Sequence, residues 1–327
     1  MVNLETTYLG LKLKNPIVIG SSELTSSVEK ISELEKNGAG AIVLKSLFEE
    51  QILMNIDAER VNNMYDTYTD TENYVSFYLK KHVVGKYLTL IKEAKSKLNI
   101  PVIASVNCIS SDEWTSFAKD IEAAGADALE LNIFILPNDV NQKGSDIEKK
   151  YFEIILKTIQ LLKIPVSIKI GSYFSGFANF VTEISKTGIK GITLFNRFYS
   201  PDVDIETEKM TSTHIYSHPE ENAQVLRWVG LLSNKINCDF AASTGIHTGK
   251  DVIKNILVGA DVAQVVSTIY KNGASHIQSM LAEIEAWMAQ KGYVSIDDFK
   301  GKLSQESTVK PMMYERAQFM KYFAEAR

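Results

Sequence analysis

The chain has 327 residues and a formal net charge of −5, from 35 Lys and Arg against 40 Asp and Glu; without a long basic run, this argues against a general nucleic-acid surface. Two cysteines, Cys108 and Cys238, are too few for a disulfide framework, and no Cys/His group has zinc spacing, so neither staples nor a metal is expected. The opening residues read as neither signal nor transit peptide and no apolar run reaches about 18 residues, so the expectation is a soluble cytoplasmic protein that does not engage a membrane.

Residues 4–14 alternate loosely around Gly10, which predicts a small hairpin ahead of the main fold. Eight short apolar segments follow, in two alternating classes. Residues 15–22, 100–107, 164–171 and 238–245 each run on from a proline or a polar residue. Residues 38–46, 125–132, 188–196 and 259–266 each open on glycine. Helical-looking stretches precede those glycines, which places them at the left-handed position just past a helix end. Near-continuous apolar strands separated by amphipathic helices predict a parallel sheet covered by helices. Eight such units favour a closed (β/α)8 TIM barrel, one α/β domain over residues 1–327, rather than an open doubly wound sheet. No G-x-G-x-x-G turn follows the first segment, so a Rossmann reading lacks its fingerprint.

Three connections exceed what a barrel requires: residues 47–81, polar and rich in tyrosine, residues 133–149 and residues 197–221. All three follow predicted strand C-termini, the end where barrel enzymes build their sites, and they read as lids or binding loops. Residues 309–327 have a helical pattern suited either to capping the barrel or to meeting a second subunit.

Polar residues cluster where the apolar runs stop: Ser21-Ser22, Lys45-Ser46, Asn107, Asn132, Lys169, Asn196, Thr244-Gly245 and Ser267-Thr268. A lysine in an apolar strand is costly unless its ammonium meets an anion or several acceptors. Lys169 and Lys45 therefore either reach the barrel mouth to pair with a carboxylate or carry a positive charge toward a ligand. Thr244-Gly245 and Ser267-Thr268 put small residues at helix N-termini after the seventh and eighth strands, the usual phosphate position of a barrel. The asparagines offer paired donors and acceptors suited to a planar, amide-rich ring. His214 and His218 read as solvated loop residues, His247 as an anion contact or a helix cap, and Cys108 and Cys238 as small buried apolar groups.

These residues together resemble the soluble, FMN-dependent class of the dihydroorotate dehydrogenase family over almost the whole chain. The likeness lies in the opening TTYLGLKLKNPIVIGSS, in AIVLKS, in Asn132 with Pro137-Asn138, in VSIKIG and in STGIHTGKDVIKNILVGADVAQVVSTIYKNG. It implies an FMN across the barrel top, met by Ser21, Lys45, Ser46, Asn132 and Lys169. The phosphate would be held by Thr244, Gly245, Ser267 and Thr268. It also implies a small-molecule substrate met by Lys45, Asn132, Asn138 and Asn196, oxidation of dihydroorotate to orotate in pyrimidine biosynthesis, and a homodimer; Arg197, next to Asn196, is a further candidate substrate contact read from its charge.

The chain departs from that pattern at the family's base. Where the family carries N-x-S-C-P-N or its serine variant, this chain reads Asn132-Ile133-Phe134-Ile135-Leu136-Pro137-Asn138, one residue longer and with neither thiol nor hydroxyl before the proline. Isoleucine and leucine accept no proton at any pH. Asp139, Tyr199 or a tyrosine between Tyr65 and Tyr78 can stand in as base, and spacing selects none of them. Arg197 stands where the family has a small polar residue and suits a carboxylate or phosphate. Two further readings stay open: a flavin-binding relative without dihydroorotate turnover, and a phosphate-binding barrel in which Lys169 forms a Schiff base.

Overall fold

Thr6–Tyr8 (β1) and Leu11–Leu13 (β2) pair antiparallel, and the hairpin turns on Leu9 and Gly10, both at positive φ (56° and 76°). Two successive left-handed residues are what a tight two-residue turn needs to follow the strand twist, and leucine is an unusual choice for the first. Leu9 is held there because its side chain is buried and its N–H donates to Asp239 Oδ2 at 2.6 Å. The computed structural model from which these elements are read describes residues 2–48, 69–108, 114–198, 201–212 and 214–309, with Pro311 and Tyr314.

Beyond the hairpin, strands and helices alternate. In order they are β3 (Ile17–Ile19), α1 (Val28–Lys36), β4 (Ala41–Val43), β5 (Leu47–Phe48), α2 (Thr69–Lys97), β6 (Val102–Cys108), α3 (Trp114–Ala123), β7 (Ala128–Ile133), α4 (Gly144–Leu161), β8 (Val166–Ile170), α5 (Phe177–Ser185) and β9 (Gly191–Leu194). After the short ribbon β10 (Pro201–Asp204) and β11 (Lys209–Ser212) come α6 (Asn222–Leu232), β12 (Asp239–Ser243), α7 (Gly249–Val258), β13 (Val262–Val265), α8 (Ser267–Asn272) and α9 (His276–Lys291). The parallel order β4-β3-β13-β12-β9-β8-β7-β6 closes on itself where Ile42 of β4 pairs with Val102 of β6. Eight parallel strands in a closed ring, covered by helices, make the (β/α)8 barrel that the alternating segments predict.

The four glycines that open the second class of segments, Gly38, Gly125, Gly188 and Gly259, all take positive φ between 97° and 114°. Gly259 shows why: it ends α7 with its N–H on helix carbonyls, and a Cβ there would lie 2.2 Å from Ser233 Oγ. Outward-facing strand residues such as Ile17, Ile42, Leu131 and Ile168 pack under the helices in the main core. Inward-facing Val18, Val43, Ile103, Ala128, Ala241 and Val262 form a second core, completed from below by Tyr8, Leu9 and Leu13. The hairpin is the floor of the barrel.

Two connections are shorter than the sequence suggests. Helix α2 begins at Thr69, well before residue 81, and its buried residues Val84, Tyr87, Ile91 and Ala94 show helical spacing. Helix α4 begins at Gly144 rather than after residue 149. The third connection keeps its length but holds the β10–β11 ribbon, in which every residue from Pro201 to Val203 is exposed. Most of the tail after Val309 lies outside the described residues; Tyr314 packs its ring where a Cβ on Gly230 would stand.

Candidate functional site

The C-terminal ends of the strands open onto a cleft of about 280 Å³. Ser21 lines it after β3, Lys169 from β8, Phe195 to Arg197 after β9, Ser243 to Ile246 after β12, and Gln264 to Ser267 across the β13–α8 junction. Ile215 and Ser217 reach in from the connection after β11. Strand alternation sends Lys169 inward together with Ser167, and Asn132 inward together with Glu130.

Lys169 is only 8% exposed, and its one hydrogen bond among the described residues is to Gln264 Oε1 at 3.4 Å. A buried ammonium with three donors and one long bond is a cation presented to the cleft with capacity to spare. Beside it, Asn196 Nδ2 donates to Asn132 Oδ1 at 2.5 Å. That contact orients both amides while Asn132 Nδ2 and Asn196 Oδ1 carry no partner among the described residues, so the pair retains one donor and one acceptor side.

In the same cleft, Thr244 takes a left-handed φ of 84° and Gly245 one of 73°. A threonine held in that region is strained by about 1 kcal/mol or more, and Thr244 Oγ1 donates to Phe195 O at 3.2 Å. Gly245 is required outright, since a Cβ would sit 2.4 Å from Asn222 N. Ser267 lines the cleft and its Oγ accepts from Ser217 N at 3.0 Å. Thr268 is fully buried instead, with its hydroxyl donated to His247 O at 3.0 Å, so it braces the turn rather than lining the cleft. His247 packs against Ser217, with Nε2 3.2 Å from its Oγ. Burial, and then the Lys271 charge, push the His247 imidazole below its ordinary range. Neighbouring Thr248 and Asp251 form the capping box of α7.

Several residues singled out from the sequence stand elsewhere. Lys45 is part-exposed, and its Nζ is 2.5 Å from Glu23 Oε2, the carboxylate pairing that its strand position allows; this contact, first among several, pulls Glu23 down to about 2. Ser46 is buried in a hydroxyl chain, 2.9 Å from Ser21 Oγ and 2.7 Å from Ser105 Oγ, and supports Ser21 from beneath. Arg197 does line the cleft, but its guanidinium is occupied: Nε donates to Glu221 Oε2 at 3.1 Å, and the terminal nitrogens donate to Ile215 O and His214 O at 2.9 and 3.0 Å. It pins the connection after β11 over the mouth instead of offering a free anion contact.

Leu136 is 46% exposed, and Asn138 and Asp139 are exposed on the same loop. Asp139 Oδ1 accepts from Asn141 N at 2.9 Å, and Asp139 is not among the residues that line the cleft. Tyr65 and Tyr199 lie outside the described residues, as do the side chains of Tyr74, Tyr78 and Cys108. Phe134 instead packs on Phe198, with centroids 4.3 Å apart, and Tyr173 meets Phe198 edge-on at 4.5 Å. Gln264, Ser243 and Ser217 are site residues that carried no sequence signal of their own. Among the described residues no group of three His, Cys, Asp or Glu is disposed to hold a metal, and no helix is long and apolar enough to cross a membrane.

A model of the dihydroorotate dehydrogenase family matches residues 3–288. The chain belongs to the dihydroorotate dehydrogenase family. It is 25% identical over 318 residues to the catalytic subunit of dihydroorotate dehydrogenase B (NAD(+)) of Thermoplasma volcanium, covering 92% of this chain and 98% of that protein. Dihydroorotate dehydrogenase A (fumarate) of Lactococcus lactis subsp. cremoris is likewise 25% identical over 318 residues, 92% of this chain and 99% of its own. The chloroplastic dihydropyrimidine dehydrogenase (NADP(+)) of Arabidopsis thaliana is 24% identical over 348 residues, 96% of this chain and 80% of that protein. Membership places the chain in an oxidoreductase lineage on a barrel scaffold.

Proposed function

We propose that the chain is an FMN-dependent oxidoreductase whose flavin site follows the family and whose substrate site does not. The observation that carries this is Lys169: a buried cation with one long hydrogen bond among the described residues, facing a cleft that also holds a strained Thr244-Gly245 turn and Ser267. This donor set fits a ligand with a hydrogen-bonding ring at one end and a phosphate at the other. Ser21, Asn132 and Lys169 would hold the ring, with Ser46 bracing Ser21 and Lys45 paired to Glu23 at the rim. Thr244, Gly245 and Ser267 would hold the phosphate, with Thr268 fixing the turn.

FMN, when bound, supplies a hydride acceptor. The protein's part is to set charge and shape around it. Lys169 places positive charge where a reduced ring accumulates electrons. Asn132 and Asn196 present one donor and one acceptor side to a small cyclic substrate. The loop that carries the family's base contributes no proton acceptor between Ile133 and Asn138, and the nearest carboxylate in sequence, Asp139, is exposed and is not among the residues that line the cleft. Removal of a substrate proton in concert with hydride transfer is therefore unsupported on that side.

Purified protein is expected to be yellow and to release FMN on denaturation. Anaerobic mixing with dihydroorotate is expected to bleach the flavin slowly or not at all; bleaching at ordinary turnover rates of 1–1000 per second would refute the altered substrate site. A colourless protein in which borohydride traps a carbonyl compound on Lys169 would refute the flavin reading itself.

A further inference from the structure

One layer below Lys169 lies an acid to which the flavin reading gives no task. Glu130 is 1% exposed and precedes Asn132 by two residues on β7, so it shares the inward face of the barrel. Its Oε2 accepts from Gln264 Nε2 at 2.6 Å and from Thr193 Oγ1 at 3.0 Å. Its Oε1 is buried without a partner among the described residues. Both of Glu130's contacts among the described residues are neutral donors. Burial, followed by the Glu130 charge, pushes the Tyr8 phenol well above its ordinary range.

Gln264 links this acid to the site. One end of its amide donates to Glu130, which leaves the carbonyl end for Lys169 Nζ at 3.4 Å. A carboxylate only accepts, so Glu130 decides which end of Gln264 faces the ammonium. An amide facing the other way would point donors at a donor. Carboxylate, amide and ammonium thus form one buried file, and charges so placed are little screened by salt.

We infer that Glu130 is a positioning residue and the buried counter-charge of Lys169, holding down the reduction potential of the flavin bound at Lys169. The inference rests on the FMN reading of the cleft. Reduction adds negative charge beside Lys169, and a fixed negative charge two hydrogen bonds away offsets part of what that lysine offers. The site thereby keeps its flavin easier to oxidise than Lys169 alone would make it.

Glu130→Gln tests the charge at nearly constant shape. Its amide oxygen can still accept from Gln264 and Thr193, and the substitution removes a buried charge at nearly the same volume. The FMN-free variant is expected to unfold at or above the wild-type temperature. Dye-equilibrated reductive titration should show the ratio of affinities for reduced over oxidised FMN rising about tenfold, which is about 30 mV upward for a two-electron couple. Glu130→Leu, a second neutral variant, is expected to shift the ratio the same way, whereas Glu130→Asp stays near wild type. A purely structural role changes both affinities equally; FMN bound with an unmoved or lowered ratio in the neutral variants would overturn the assignment. Wild-type protein that takes up no FMN would overturn the flavin reading beneath it, a separate and recognisable failure.

Discussion

Replacing Asp239 with asparagine is expected to stabilise the protein above neutrality and to do little in acid. Asp239 opens β12 on the barrel floor, where its Oδ2 receives the Leu9 N–H at 2.6 Å. Burial, and next the charge of Asp261, push its carboxyl from the ordinary 3.8 up to about 6, against the opposing pull of the Leu9 N–H, Lys300 and Lys190. A gap of roughly two pH units corresponds to about 3 kcal/mol. Asp239 is partly open to solvent, so about half of that, near 1.5 kcal/mol, is the working figure. The folded chain holds this proton more tightly than the unfolded chain does. The favourable contribution is therefore complete below about pH 4 and lost as pH rises through about 6. Asparagine keeps an acceptor for Leu9 and carries no charge. Urea unfolding of FMN-free protein should find Asp239→Asn more stable than wild type by about 1–1.5 kcal/mol at pH 8 and within about 0.5 kcal/mol at pH 4.5. An equal difference at both pH values would show that the carboxyl titrates as it does in the unfolded chain.

Lys169→Met removes the cleft's buried cation, and the loss of a charged hydrogen bond of about 1.5–3 kcal/mol should weaken FMN binding roughly 10- to 100-fold in a fluorescence titration; unchanged affinity would count against the flavin reading. Tyr87 OH donates to Ser105 O at 2.9 Å and accepts from Ser105 N at 2.7 Å. Tyr87→Phe should therefore cost about 1–3 kcal/mol in urea unfolding, and a neutral result would mean Ser105 finds other partners. Gly259→Ala combines left-handed strain of about 1–2 kcal/mol with a collision on Ser233, and should lower stability by at least that amount in the same assay. Leu136→Cys alone should not restore bleaching by dihydroorotate, because that position is exposed on a lengthened loop; fast bleaching would show that the thiol reaches the ring.

The barrel was legible because its two signals, apolar runs and left-handed glycines before every second strand, are local and repeat. The hairpin was legible through Gly10, although Leu9 at positive φ was not, since contacts distant in sequence, with Gly191 of β9 and with Asp239 among them, hold it there. Lys169 declared itself by its cost: a lysine amid Ile168 and Ile170 has to serve something. Lys45 sent the same signal, but a carboxylate on the short helical turn after Ser22 answers it, and no local pattern relates Glu23 to Lys45 across 22 residues. Arg197 was similarly engaged by Glu221 and two carbonyls of its own connection. The β10–β11 ribbon escaped because it buries neither face, so it has no alternation to read. The file from Glu130 through Gln264 joins residues 134 positions apart, and its closure depends on how the ring of strands is staggered.

The hairpin floor also imposes an order of events on a chain made from its N-terminus. Thr6 Oγ1 donates to Asp261 O and the Leu9 N–H to Asp239, contacts that span 255 and 230 residues. At ribosomal speeds of about 5–20 residues per second, Tyr8, Leu9 and Leu13 wait on the order of ten to fifty seconds before their seat exists. During that interval the hairpin is an unsheltered apolar clasp, and it locks only after β12 and the turn into β13 have been made.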